Sequence, residues 1–218
     1  MSLSPARGFF GPLYAGAGRL ARDPVGRHVG WKYAPGMLDI WSILAELPAV
    51  PEPKTARSAV LVPLYRDRQG QARVILTKRP VTMRTHPGDV VFPGGAIEHG
   101  ESVIETAMRE AYEEIGLPSD AIEVLGGLTP VTTRDLDNVI VPVVARIQRP
   151  VELLPDPTEV ESVIEPTVVD LLDEGRWRTS DWMGHDMWFF EFDEGVMWGA
   201  TAFVMRDLLG RLRRDGGR

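Results

Sequence analysis

Glu110, Glu113 and Glu114 stand at positions i, i+3 and i+4 of the segment Arg109-Glu110-Ala111-Tyr112-Glu113-Glu114. On an α-helix, at about 100° per residue, this spacing crowds three carboxylates into an arc of roughly 100° on one turn. The ordinary reading of such a stretch is a solvated face, and Glu105–Arg109 and Arg109–Glu113 fit it as i,i+4 pairs of opposite charge. Glu110–Glu114 does not fit. Two like charges at i,i+4, in a helix without lysine, repel by a few tenths of a kcal/mol unless a cation lies between them. An all-oxygen cluster suits a hard divalent ion, Mg²⁺ or Mn²⁺. The helix alone leaves the metal site and the solvated face both open.

The elements that must position these groups can be read on either side. Ser102 is placed to cap the helix, Glu105 completes a capping box three residues on, and Gly116 with Pro118 ends it. Val103, Ile104, Ala107, Ala111 and Ile115 fall on one stripe and predict the face turned to a core. Ahead of the helix, the short apolar run Val90–Phe92 leads into Pro93-Gly94-Gly95. Ser58–Tyr65 and Ala72–Thr77, separated by Asp67-Arg68-Gln69-Gly70, predict a hairpin. Further strands are expected at Ile122–Leu125, Val139–Ile147, Val160–Ile164 and Trp188–Phe192, and helices at Thr167–Leu172 and Gly199–Arg213. Strands interleaved with a few helices, without internal repeats, indicate an α/β or α+β sandwich. The segment Leu47-Pro48-Ala49-Val50-Pro51-Glu52-Pro53 stops any helix before it, so residues 1–53 are assigned to an N-terminal extension and linker and residues 54–214 to the main domain.

Composition narrows the function classes. The 218 residues carry 24 Lys+Arg against 31 Asp+Glu, a net charge of −7, which disfavours nucleic acid and polybasic membrane binding because both need a positive surface. The absence of cysteine removes disulfides, thiolate metal sites and thiol nucleophiles together. No stretch approaches the roughly 18 continuous apolar residues of a membrane span. Residues 1–36 hold Arg7, Arg19, Arg22, Arg27 and Lys32 against Asp23 alone, a bias shared with transit peptides. They are read here as an ordinary extension, and the expected compartment is the cytoplasm. Their aromatic residues, among them Phe9, Phe10, Tyr14, Trp31 and Tyr33, suit either a cover for the sandwich or a homodimer surface.

Taken together, Gly95, five residues, Glu101, seven residues, and then Arg109-Glu110-Ala111-Tyr112-Glu113-Glu114-Ile115-Gly116-Leu117 resemble the Nudix box with every fixed position filled. The resemblance implies a Nudix hydrolase: an α/β/α sandwich with a mixed sheet, using Mg²⁺ or Mn²⁺ and water to split a nucleoside diphosphate linked to another moiety. It implies metal ligation by Glu110, Glu114, Glu113 and the Gly95 carbonyl. Glu113 can also orient a metal-bound water, and Arg109 can hold the carboxylates in register, with Glu101 bridged to it about two turns away. In this family the general base comes from the box or from a distant loop, and Glu159 and Glu161 are the loop candidates, with surface charge as their simpler reading.

The preceding segment, from Ile75-Leu-Thr-Lys78-Arg79-Pro80 through Arg84 and Gly88 to Phe92-Pro93-Gly94-Gly95, is similar to the motif of the coenzyme A pyrophosphatase branch. Pro80 departs from it, standing where that branch has a small Ser or Ala. The branch resemblance extends to Glu159-Val160-Glu161 and to Met197-Trp198-Gly199-Ala200-Thr201-Ala202. Lys78, Arg79 and Arg84 cluster just before the catalytic loop and suit the phosphates of coenzyme A, which forked guanidinium groups bind well, with a solvated strand end as their simpler reading. Other nucleotides, such as ADP-ribose, NADH or a nucleoside triphosphate, are the alternative substrates, and a nucleotide-sensing protein without turnover is the alternative class. Trp182, Trp188 and Trp198 have the surface to stack on adenine, with an aromatic core as their default role.

Overall fold

The computed structural model describes residues 39–132, 138–148, 151–182 and 185–215. In chain order the elements are α1 (Ile40–Leu44), β1 (Ala56–Arg66), β2 (Ala72–Val74), β3 (Leu76–Lys78), β4 (Val90–Val91), β5 (Gly94–Ala96) and α2 (Val103–Ile115). They continue with β6 (Ile122–Gly127), β7 (Val131–Thr132), β8 (Val139–Ile147), β9 (Ser162–Ile164), α3 (Val168–Leu172), β10 (Trp177–Trp182), β11 (His185–Glu191), β12 (Val196–Trp198) and α4 (Gly199–Asp215).

The central sheet runs β2-β1-β8-β6, with β5 also pairing to β1 and β7 to β8. Only β1 and β8 run parallel, so the sheet is mixed. Strand period dictates the layers, because successive side chains leave a strand on opposite faces. Ala59, Leu61 and Tyr65 of β1 join Val141, Val143 and Ala145 of β8 beneath α2. Val62, Leu64 and Val144 point the other way, into a second core shared with α1, α3, α4 and the aromatic strands. Both faces of the sheet are buried, and the architecture is the expected α/β/α sandwich. Among the described residues no helix is long and apolar enough to cross a membrane.

Two smaller sheets flank the centre, β10-β11-β12 and β4-β3-β9. The described part of the N-terminal region is built into the fold: Ile40 and Leu44 are buried, and the Pro48 carbonyl accepts the Gly127 N–H at 2.9 Å. Pro51 packs so closely on Gly127 that a side chain there would meet its ring. Residues 1–38, including most of the aromatic residues weighed as a dimer surface, lie outside the described residues.

Candidate active site

The site assembles where β5 leaves the edge of β1 and hands over to α2. A capping box opens α2: the Ser102 hydroxyl accepts the Glu105 N–H at 3.2 Å, and the Glu105 carboxylate accepts the Ser102 N–H at 2.8 Å. Gly116 closes the helix in the left-handed conformation, φ 65°, a turn that glycine adopts without a Cβ clash. The linker contributes too, since Glu52 accepts the Val103 N–H at 3.3 Å. Val103, Ala107, Ala111 and Ile115 are buried as the stripe requires, whereas Ile104 is only partly so. The polar residues Thr106 and Glu114 are buried in addition. The inward face therefore reaches further toward β5 than apolar periodicity alone suggests.

Arg109 is the hub. Its Nε donates to Glu101 Oε1 at 2.7 Å, and its Nη2 to Glu101 Oε2 and to the Ala96 carbonyl at 3.1 Å each. Its Nη1 donates to Glu110 Oε1 at 3.0 Å and to Glu113 Oε2 at 2.8 Å. One guanidinium thus fixes three carboxylates and the β5 backbone, and Glu101, two turns back, is where the spacing puts it. The Thr106 hydroxyl also donates to Glu101 at 2.8 Å, a partner that sequence reasoning missed. These bonds, Arg109 first and Thr106 second, pull the Glu101 carboxyl down to about 2.

The three clustered glutamates are not equivalent. Glu113 is 55% exposed, the Glu110 side chain 14% and Glu114 only 4%. Burial pushes the Glu114 carboxyl up to about 8, and the negative charges of Glu110 and Glu159 push in the same direction. The Gly94 N–H and Arg79 pull the other way with less effect. Burial also raises Glu110, against the opposing bond from Arg109. Among the described residues, the buried Glu114 Oε2 has no hydrogen-bond partner. An orphaned carboxylate oxygen in such a place carries a desolvation cost of roughly 1–3 kcal/mol or more that a cation would offset.

Gly95 faces this pair so closely that a Cβ would overlap the Glu110 carboxylate. Gly94 is held as tightly on its other side, against the Ala59 carbonyl and Val60. The donors gathered here are all oxygen, which fits a hard divalent cation. Among the described residues no three His, Asp or Glu side chains are arranged to hold a metal ion, and Arg109 engages Glu110 and Glu113.

The loop candidates separate. Glu161 accepts from Lys78 Nζ at 2.6 Å and is thereby committed to a cross-strand ion pair. Glu159 instead bears electrostatically on both Glu110 and Glu114. Its loop is docked on the end of α2, where the Glu114 and Ile115 carbonyls accept the Asp156 and Leu154 N–H groups at 2.9 and 2.8 Å. Sequence reasoning gave these two acids equal standing, because only pairing across strands tells them apart.

Of the three predicted phosphate ligands, Lys78 is 18% exposed and engaged with Glu161. Arg79 roots a loop closed by Arg79 N–H to Asp89 carbonyl at 2.9 Å and Gly88 N–H to Arg79 carbonyl at 3.2 Å, and its charge reaches Glu114. Arg84 is exposed on that loop. Gly95 thus packs on Glu110, the charge of Glu159 bears on Glu110 and Glu114, and Arg79 acts on Glu114 from the loop on which Arg84 is exposed.

Comparison with known proteins places the chain in a family. The NUDIX domain family model matches residues 55–185. The chain is 41% identical over 160 residues to Nudix hydrolase 22, chloroplastic, of Arabidopsis thaliana, covering 68% of this chain and 53% of that protein. It is 37% identical over 161 residues to the uncharacterized Nudix hydrolase NudL of an Enterobacter species, covering 70% of this chain and 80% of that one. The chain therefore spans about half the length of the plant relative and most of the bacterial one. A MutT/nudix family protein of Enterococcus faecalis shares the fold at TM-score 0.50 and 18% identity, over 80% of this chain and 68% of the other. A box held by one arginine, a sandwich of the same topology and a family match across more than half its length lead to one assignment: the chain belongs to the Nudix hydrolase family.

Proposed function

We propose that the protein is a divalent-metal-dependent diphosphatase acting on coenzyme A or its derivatives, releasing 3′,5′-ADP and the corresponding phosphopantetheine. The observation that carries this reading is the placement of Arg79, whose charge reaches Glu114 from the root of a closed loop that also presents Arg84. A diphosphate over the cluster would meet the guanidinium of Arg79, leaving Arg84 for the additional 3′-phosphate.

Glu110, Glu114 and the Gly95 carbonyl would hold Mg²⁺ or Mn²⁺, with Glu113 at the exposed side. A cation held there would lower the pKa of a water and offset charge building on the diphosphate. Arg109 and Glu101 are positioning residues, since they touch carboxylates and backbone and keep Glu110 turned toward Gly95. Glu159 is the general base: its charge bears on Glu110 and Glu114 from a loop braced on the end of α2, whereas Glu161 is committed to Lys78. The attacking water gives a proton to Glu159 as its oxygen bonds to one phosphorus of the diphosphate, the anhydride P–O bond of that phosphorus breaks, and the leaving phosphate carries off the electron pair. A cytoplasmic location belongs to the same reading.

Relative kcat/KM for coenzyme A, ADP-ribose, NADH and a nucleoside triphosphate, measured with Mg²⁺ and with Mn²⁺, tests the substrate class. Coenzyme A should lead the panel, and ADP-ribose or NADH far ahead of it would overturn the specificity.

A further inference from the structure

The aromatic residues of β10, β11 and β12 divide between two faces. Trp188, Phe190 and Met197 belong to the core with Trp177, and Trp188 is further covered by Arg206, whose guanidinium lies 4.1 Å from its ring. Phe189 and Trp198 leave the same strands on the opposite face. They are direct cross-strand partners, their rings are 6.4 Å apart and nearly parallel at 10°, and neither belongs to a core cluster. Both are half-buried.

This panel adjoins the arginine loop. Asp89 bridges to Val196 at the start of β12, and Gly195 packs against the Gly88 carbonyl, so the β11–β12 turn lies on the end of the loop. From that loop His86 reaches the indole of Trp198, with 6.1 Å between ring centroids at a 50° tilt. His86 is the one described non-glycine residue with positive φ, 52°, a conformation that costs about 1 kcal/mol outside glycine. Its Nδ1 lies 3.0 Å from Asp89 Oδ2, which holds the ring in place while 61% of the side chain stays exposed. A strained residue with an exposed ring, turned onto an outward aromatic pair, has no role in the core.

We propose that Trp198, Phe189 and His86 form the nucleobase subsite, with the adenine of the substrate stacked on the Trp198–Phe189 panel and His86 closing one edge. This rests on the reading of the site as one for an adenine nucleotide. The occupant follows from position and chemistry. Arg79 links the loop to the metal-binding carboxylates, and Arg84 lies two residues from His86. Diphosphate, ribose 3′-phosphate and base therefore run in that order along one loop. A flat π-surface recognises a heterocycle and offers little to the flexible amide chain of pantetheine.

The test uses the full chain and two non-hydrolysable probes, α,β-methylene-ADP and methylenediphosphonate, titrated by calorimetry in Mg²⁺. H86A and F189L each weaken α,β-methylene-ADP by about tenfold and methylenediphosphonate by less than about twofold. W198L should do the same, and the other two variants preserve the test if loss of Trp198, at the end of β12, impairs folding. Equal weakening of both probes, no weakening, or a wild type that binds the nucleotide no better than the diphosphonate overturns the subsite. Coenzyme A turnover by the wild type is scored separately: its absence with the discriminating calorimetry intact would remove the coenzyme reading and keep the base site.

Discussion

Replacing Glu114 with glutamine removes the charge that burial most opposes. The Glu114 carboxyl rises from an ordinary 4.5 to about 8, first through burial and then through Glu110 and Glu159. Because the folded protein holds this proton more tightly than the unfolded chain does, the stability associated with it is fully present below about pH 4.5. It is lost as pH rises toward about 8. At about 1.4 kcal/mol per pH unit the whole interval amounts to about 5 kcal/mol, an upper figure for one side chain. E114Q keeps the shape without the titration, so the metal-free variant should gain on the metal-free wild type progressively between pH 5 and pH 9. At about 2–4 °C per kcal/mol for a domain of this size, the gap in Tm should reach on the order of 10 °C at the alkaline end. Thermal unfolding in chelator across that range measures it. Adding Mg²⁺ or Mn²⁺ should raise the wild-type Tm most where Glu114 is ionised and leave E114Q nearly unmoved, because metal binding needs the deprotonated ligand. Parallel pH profiles for the two proteins in chelator would refute the reasoning, since they would mean that Glu114 titrates as an ordinary surface acid.

Three further outcomes follow from the same geometry. G95A forces a methyl into the Glu110 carboxylate and should lower Mn²⁺ affinity by about 10–100-fold, measured by calorimetry, with a smaller fall in Tm. E159Q should cut kcat by about 100-fold or more as loss of a general base. E161Q breaks only a partly exposed pair with Lys78 and should stay within about fivefold of wild type; steady-state kinetics on both variants decides between the two acids. R84A should reduce kcat/KM for coenzyme A by about 10–100-fold while hardly changing that for dephospho-coenzyme A, and equal losses on both would move Arg84 away from the 3′-phosphate.

The sequence was most legible where one residue type has one physical use. Ser102, Glu105 and Gly116 delimit α2 to the residue, because capping chemistry is local. β8 falls at Val139–Ile147 as expected, since a long β-branched run buried on both faces has few other fates. Shorter elements escaped. β5 is Gly94-Gly95-Ala96, without any strand propensity, and exists because β1 offers an edge into which only glycine fits. α1 hid in a Gly- and Pro-rich region, and its tertiary anchors Ile40 and Leu44 make no pattern of their own over five residues. In the site, the Arg109–Glu101 bridge could be read from helical spacing. The depth of Glu114 could not, because it depends on how far α2 rolls toward β5. Nor could spacing show that Lys78 meets Glu161, 83 residues away, and leaves Glu159 to the cluster.

The proposed cleavage of the coenzyme A diphosphate at this carboxylate site has a direct readout. The most direct measurement is the mass of the products formed from coenzyme A by the full chain with Mg²⁺ or Mn²⁺. The predicted result is equimolar 3′,5′-ADP and 4′-phosphopantetheine, abolished by chelator and in E114Q. Intact coenzyme A under conditions where the same preparation consumes ADP-ribose or NADH would contradict it.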